Sequence, residues 1–204
     1  MPALGDTPNP TSTPPGPLSI DLNLEYGSLL PARPRTHRDP NDLGYDDWEK
    51  HNTPHSIVVL DQNSAPPLKQ FMEQIEGGWP VGRTLINDVI FIWLVDETGR
   101  IFVALEELVV NTLPVNVPKF QTLNVLTSRD KLGHPSLILC DRARIAGEIR
   151  FLHGTSTRES LWVINNASWR YGLYAGRTKT HLENAAARFR KHTVYLEVDF
   201  VKPR

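Results

Sequence analysis

Two apolar runs on either side of the tetrapeptide DETG, residues 96–99, are the feature that most constrains how this chain folds. Residues 89–95 and the run that begins at Ile101 are rich in β-branched and aromatic side chains, and a short polar connection with a glycine between such runs is typical of a β-hairpin. The first run is apolar at every position, so both of its faces must be covered. This predicts a strand at the centre of a sheet.

Further strands and two helices are predicted around that hairpin. Strands are indicated by HSIVVLD at residues 55–61, SLILC at 136–140, RIAGEIRFL at 144–152, SLWVIN at 160–165 and TVYLEVDFV at 193–201. One helix follows Ser64, a plausible N-cap, and ends at Gly77. The other covers residues 178–192, where Thr180 and Glu183 have the spacing of a capping box. We therefore expect an α+β fold with a curved, mainly antiparallel sheet and two helices.

The N-terminal quarter of the chain has a different composition. Residues 1–18 are mostly Pro, Thr, Gly and Ser, a composition that cannot bury enough apolar surface to order itself. They are expected to form a disordered, Pro-rich arm, either a plain tail or an uncleaved export address. We predict that the chain has two parts. Residues 1–54 form an irregular N-terminal arm, held to the domain by Tyr45 and Trp48, and residues 55–204 form a single α+β domain.

Composition excludes several classes of protein. The net charge is −1 and the pI about 6.7, which argues against binding extended nucleic acid. No apolar run approaches the roughly 20 residues of a membrane span, and no cleaved signal peptide is evident. The protein is expected to stay in the cytoplasm of its producer or to be exported without a cleaved signal. A single cysteine, Cys140, excludes an internal disulfide, and no histidine pattern predicts a metal site.

The charges are unevenly divided along the chain. Residues 118–204 carry 15 Lys and Arg against 7 Asp and Glu, whereas residues 1–117 carry 7 against 16. Either the two halves pack together and neutralise each other, or the second half forms a basic cleft for a phosphate-bearing ligand.

The stretch RFLHGTSTRESLWVINN, residues 150–166, has two interpretations. FLHGTS at 151–156 resembles the first motif of the diphtheria-toxin and PARP-like ADP-ribosyltransferases. GLY at 172–174 follows in the order of that family's Gly-apolar-Tyr landmark, and Glu197 in YLEVDF matches its late-strand carboxylate. The same stretch is also typical of a β-hairpin with a small, polar loop, in which His153 is an exposed loop residue and Tyr174 a packing residue.

The first resemblance implies an NAD-dependent mono-ADP-ribosyltransferase, a bacterial effector or toxin that modifies a protein target. A fixed carboxylate would stabilise the positive charge that develops on the ribose as nicotinamide leaves. The implied roles are ribose binding by His153, a backbone grip on nicotinamide by Gly154, stacking by Tyr174, catalysis by Glu197, and phosphate contacts from Arg170 or Arg177.

A second resemblance covers residues 133–190 and is to a little-characterised bacterial domain that echoes plant calmodulin-binding IQ-motif proteins. The matching residues are His134, Ser136, Gly147, Glu148, Asn166, Ser168, Arg170 and Tyr171, with Trp169 where the loop usually has glycine. It implies a non-catalytic module that binds a protein or small polar ligand. The binding pocket would contain His134, Glu148, Asn166, Arg170 and Tyr171, with His134 and Glu148 close enough to form an acid–base pair.

Overall fold

The computed structural model describes residues 21–36, 44–77, 89–107, 131–154, 159 and 161–203. In chain order the elements are α1 (Leu22–Tyr26), α2 (Asp47–His51), β1 (Val58–Val59), α3 (Ala65–Glu76), β2 (Ile90–Asp96), β3 (Ile101–Leu105), a 3-10 helix (His134–Ile138), β4 (Ala143–Leu152), β5 (Leu161–Asn165), α4 (Lys179–Lys191) and β6 (Glu197–Asp199). None of these helices is long and apolar enough to cross a bilayer.

Six strands form one open, curved sheet in the order β1-β3-β2-β4-β5-β6. All neighbours are antiparallel except β5 and β6, which are parallel. The predicted hairpin is confirmed, because β2 and β3 pair from Phe91 with Leu105 to Val95 with Ile101. The α+β class with a mainly antiparallel sheet is confirmed too. The two predicted helices are α3 and α4, and α1 and α2 add two helices of five residues each.

Both faces of β2 are covered, which explains its continuous apolar run. Phe91, Trp93 and Val95 point into the larger core cluster, where α3 and α4 contribute buried side chains. Ile92 and Leu94 point to the opposite face, where the 3-10 helix and Tyr171 cover them. The sheet is therefore the middle layer between two unequal apolar clusters.

The two long helices begin and end close to their predicted bounds. Ser64 is the N-cap residue of α3 and Gly77 follows its last turn. The cap of α4 differs from the prediction: Thr178 accepts a hydrogen bond from the His181 N–H at 3.3 Å, and His181 Nδ1 accepts one from the Thr178 N–H. Thr178 has the extended backbone that an N-cap requires, whereas Thr180 already lies inside the helix.

The strand predicted at residues 136–140 is wrong. This segment belongs to the 3-10 helix, which has Pro135 in its first turn, and Leu139 and Cys140 then adopt left-handed backbone angles with φ of 50° and 65°. Ser136 Oγ also donates to the Gly133 carbonyl at 2.6 Å. Proline removes a ladder donor, and two consecutive left-handed residues turn the chain, so the apolar run cannot extend as a strand.

Two other predicted strands are shorter than expected. The strand at 55–61 is reduced to Val58–Val59, and the strand at 193–201 to Glu197–Asp199. Both lie at the edges of the sheet, where short strands limit pairing with other chains.

The described residues before the predicted domain boundary at residue 54 pack against the residues after it. Tyr26 of α1 is 1% exposed and belongs to the larger core cluster. Leu30 pairs with Ala143 at the start of β4, and the Trp48 indole donates to the Lys131 carbonyl at 3.4 Å. Residues 21–36 and 44–54 are thus part of the folded unit. The disorder predicted for residues 1–18 falls outside the described residues.

Candidate functional site

Residues 150–166 join two paired strands, which confirms the hairpin interpretation of their ends. β4 and β5 are antiparallel from Ile149 with Ile164 to Leu152 with Leu161. His153 follows directly after β4 and is exposed, with its ring edge-on to Phe151 at a centroid distance of 4.9 Å. Gly154 is exposed beside it. His153 therefore lies at the solvent-facing end of the strand pair.

The three side chains of the predicted NAD site do not share one cavity. Tyr174 lines a cavity with residues 31–33, and the preceding Leu30 is bridged to Ala143, at the opposite end of β4 from His153. A strand of ten residues such as β4 is about 30 Å long. Glu197 is exposed on the edge strand β6 and lines a different cavity, with Leu152, Leu161 and Val163. The structure does not bring the imidazole, the phenol and the carboxylate together.

Arg177, predicted to contact phosphates, is instead a buried structural residue. It is 4% exposed, and its guanidinium donates to the carbonyls of Tyr171 at 3.0 Å and Ser28 at 2.7 Å. Burial, with a smaller effect from the nearby Arg144, lowers its pKa to about 10. The side chain ties the loop after β5 to the segment after α1.

His134 is also used inside the fold. It is 8% exposed, and its Nε2 lies 2.9 Å from the Gly147 carbonyl on β4. Because a carbonyl only accepts hydrogen bonds, Nε2 must carry the proton. Burial lowers the pKa of His134 to about 4, so the ring is neutral near pH 7.

The acid–base pair predicted between His134 and Glu148 does not form. Glu148 forms an ion pair with Arg150, two residues along β4, at 2.5 Å. Burial raises its pKa, and the charge of Arg150 opposes that shift. The two groups face different partners, and a shared catalytic role for them has no geometric support.

Asn166 and Tyr171 of the predicted polar pocket also form hydrogen bonds inside the fold. Both side chains are fully buried. Asn166 Nδ2 donates to the carbonyls of Gly172 and Val201, its Oδ1 accepts from the Val201 N–H, and the Tyr171 hydroxyl donates to the Asp141 carbonyl at 3.0 Å. The polar atoms of both side chains therefore bind backbone groups.

Arg170, another member of that predicted cluster, lines a cavity. Its guanidinium donates to Glu49 at 3.1 Å and to the Gly44 carbonyl. Glu49 is 1% exposed and also accepts from the N–H groups of Gly133 and Asp46. Burial raises the pKa of Glu49, and the charge of Arg170 opposes that shift.

The cavity beside Arg170 is lined by two exposed aromatic side chains, and we call it the aromatic groove. Trp169 is 53% exposed and Tyr174 is 37% exposed. The groove has a volume of about 320 Å³. Its lining residues are Pro31, Ala32, Arg33, Trp169, Arg170, Leu173, Tyr174 and Ala175. Among these described residues there are two arginines and no carboxylate.

The loop that carries the two aromatic residues is fixed by hydrogen bonds. The N–H groups of Gly172 and Leu173 both donate to the Ser168 carbonyl, at 2.8 and 2.9 Å, and the Arg177 N–H donates to the Tyr174 carbonyl. A side chain at Gly172 would collide with the carbonyls of Ala146 and Asn166, so the loop lies directly against β4. Together with the buried bonds of Asn166 and Arg177, this packing presents Trp169 and Tyr174 on a rigid base.

Sequence reasoning noted Trp169 only as a departure from an expected glycine and did not predict the groove. The available signal was a tryptophan and a tyrosine five residues apart in a glycine-containing loop. Residues 31–33, which form the other wall, are distant in sequence.

No known protein family, curated protein or solved structure matches this chain. The two resemblances therefore stay predictions, as does NAD as a cofactor. Among the residues that the structure describes, no group of three or more His, Cys, Asp or Glu side chains is placed to hold a metal ion.

Proposed function

We propose that this chain is a non-catalytic binding module that recognises a segment of a partner protein through the aromatic groove. The observation that carries the proposal is the exposure of Trp169 and Tyr174 on a loop held by buried hydrogen bonds. Aromatic residues are enriched at protein interfaces because each buries a large area while losing few rotatable bonds. A rigid base reduces the entropy that binding would otherwise cost.

The walls of the groove favour an apolar or aromatic partner segment, which can pack on Trp169 and Tyr174. Arg33 and Arg170 also line the groove, and the charge of Arg170 is balanced within the fold by its ion pair with the buried Glu49.

The binding role and the predicted ADP-ribosyltransferase activity require different arrangements of side chains. Transfer from NAD requires His153, Tyr174 and Glu197 around one dinucleotide, whereas these side chains lie at separate places on the sheet. Binding through the groove requires only Trp169, Tyr174 and their loop. The geometry therefore supports a binding role better than the enzymatic one.

The test is selection of peptides from a displayed random library on the immobilised full-length protein, followed by affinity measurement. We expect selected peptides to lose about 2 kcal/mol of binding free energy, roughly thirtyfold in Kd, in the variants Trp169→Ala and Tyr174→Ala. Tyr195→Ala is the matched control, since Tyr195 is 68% exposed but does not line the groove. All three variants should keep the wild-type melting temperature within a few degrees.

Two results would overturn the proposal. One is a library that yields no peptide whose affinity depends on Trp169. The other is specific stabilisation by NAD, worth about 2.7 kcal/mol at 100 times its Kd, together with NAD turnover that Glu197→Gln abolishes. That second result would restore the ADP-ribosyltransferase assignment.

A further inference from the structure

We infer that a second cavity, between α3 and the sheet, is a binding site for a small neutral molecule with two fused aromatic rings. The cavity has a volume of about 230 Å³, and we call it the α3 cavity. Its walls include Pro67, Leu68 and Phe71 of α3 and Val58, Phe91 and Val103 of the strands β1, β2 and β3.

The α3 cavity and the aromatic groove lie on opposite faces of the sheet. Phe91 and Val103 belong to the larger core cluster. Tyr171, in the loop that carries the aromatic groove, covers the other face. The inference therefore does not rest on the proposed function of the groove, and either can fail without the other.

The polar groups in the wall of the α3 cavity are already used inside the fold. Ser56 Oγ donates to Glu107 at 2.6 Å, and Ser64 Oγ donates to the Val59 carbonyl. A serine hydroxyl has a single hydrogen to donate, so neither serine can donate to a ligand. None of the described lining residues is charged. Because an ordered water needs several polar partners and a buried charge needs a counter-charge, the cavity favours a neutral, apolar molecule.

The volume and the shape of the α3 cavity fit two fused aromatic rings. A dry apolar cavity of about 150 Å³ binds benzene, and the α3 cavity is roughly half as large again, which leaves room for a second ring. Phe71 and Phe91 meet edge to face, with 5.9 Å between the ring centroids and 89° between the ring planes. A planar ligand stacked on one of these rings is perpendicular to the other, and both arrangements are favourable for aromatic pairs.

The α3 cavity reaches the surface of the protein. Pro67, in the first turn of α3, is exposed, and Val58, Leu68 and Leu105 are half-buried. These side chains keep part of their apolar surface in contact with water. A bound ligand removes that surface from water, which is the main favourable contribution to binding at an apolar site.

The experiment is a titration of the full-length protein with naphthalene, followed by NMR of ¹³C-labelled leucine and valine methyl groups. Quinoline, at a pH where it is uncharged, is the matched ligand, since it has the same shape but carries a ring nitrogen that accepts a hydrogen bond. The variant Leu68→Trp fills the cavity from the side of α3. Leu24→Trp is its control, because Leu24 is 76% exposed and does not line the cavity.

We expect naphthalene to cause saturable shifts of the methyl resonances of Val58, Leu68, Val103 and Leu105, with intermolecular NOEs to the same groups. Quinoline should bind roughly tenfold more weakly, because its nitrogen loses a hydrogen bond to water and meets no free donor. Leu68→Trp should abolish the saturable shifts, whereas Leu24→Trp should keep the Kd for naphthalene within about twofold.

The inference fails if naphthalene causes no saturable shift, or if its NOEs go to methyl groups outside the cavity, such as those of Leu173 in the aromatic groove. It also fails if quinoline binds as tightly as naphthalene, or if a folded Leu68→Trp protein binds naphthalene like the wild type. The NOEs are measured on the wild-type protein, so they decide the question even if Leu68→Trp does not fold.

Discussion

Replacing Asn166 with alanine tests whether one buried amide holds together the loop that carries the aromatic groove. The side chain is fully buried and makes three hydrogen bonds of 2.8 to 3.1 Å, to Gly172 and to both backbone groups of Val201. Alanine removes all three, and the Gly172 carbonyl, in a buried residue, loses its partner. At about 1 kcal/mol for each bond, the free energy of unfolding should fall by roughly 3 kcal/mol. For a chain of this size that corresponds to a decrease of about 6 to 12 °C in Tm.

The assay is urea unfolding followed by tryptophan fluorescence, with peptide affinity measured on the same samples. Asn63→Ala is the control, because Asn63 is exposed and its side chain has no hydrogen bond within the described part of the chain. It should change stability by less than about 0.5 kcal/mol. Asn166→Ala should also weaken peptide binding although it leaves Trp169 in place, since the loop loses its brace. A decrease of less than 1 kcal/mol in the free energy of unfolding would refute the conclusion that the Asn166 side chain holds this loop in place.

Two further predictions concern the centre of the sheet. Gly147→Ala places a methyl group against the backbone of Asn165 and Asn166 and should cost about 3 kcal/mol or more in urea unfolding. Gly77→Ala, which meets only ordinary contacts, should not, and equal stability of the two variants would contradict this packing. His134 has a pKa of about 4 when folded against an ordinary 6.5, so the unfolded chain takes up its proton first and stability falls as the pH drops from 6.5 to 4. His134→Gln should reduce the stability lost between pH 7 and pH 5 by about 2 kcal/mol, and identical pH profiles for variant and wild type would contradict a buried neutral ring.

Elements specified by local sequence pattern could be predicted, and those specified by distant contacts could not. The β2–β3 hairpin and the strands β4 and β5 follow from apolar runs beside short polar connections, so their signals are contained within each segment. The segment at 136–140 is just as apolar, yet Pro135 and the turn at Leu139 and Cys140 make it a 3-10 helix. Its apolar side chains indicate that the segment is buried, but burial alone does not distinguish a strand from a 3-10 helix.

The candidate site, like the fold, could be predicted from the sequence only in part. Sequence reasoning grouped His134, Glu148, Asn166, Arg170 and Tyr171 in one polar pocket. In the structure the His134 ring meets the Gly147 carbonyl, the Asn166 amide meets Gly172, and the Tyr171 hydroxyl meets Asp141. Sequence reasoning did not predict that these polar atoms bind backbone groups, because that depends on which segment crosses above them. Gly147 permits this crossing, since the chain at Asn165 passes where a side chain would stand.

The parallel pairing of β5 with β6 imposes an order on how the sheet is completed. β5 ends at Asn165, whereas its partner strand ends at Asp199, 34 residues later. At a synthesis rate of 5 to 20 residues per second, the outer edge of β5 waits roughly 2 to 7 s for that partner. Throughout that interval the growing polypeptide exposes unpaired strand groups to neighbouring nascent chains. Until β6 is made, the outer edge of β5 is therefore open to pairing with another chain.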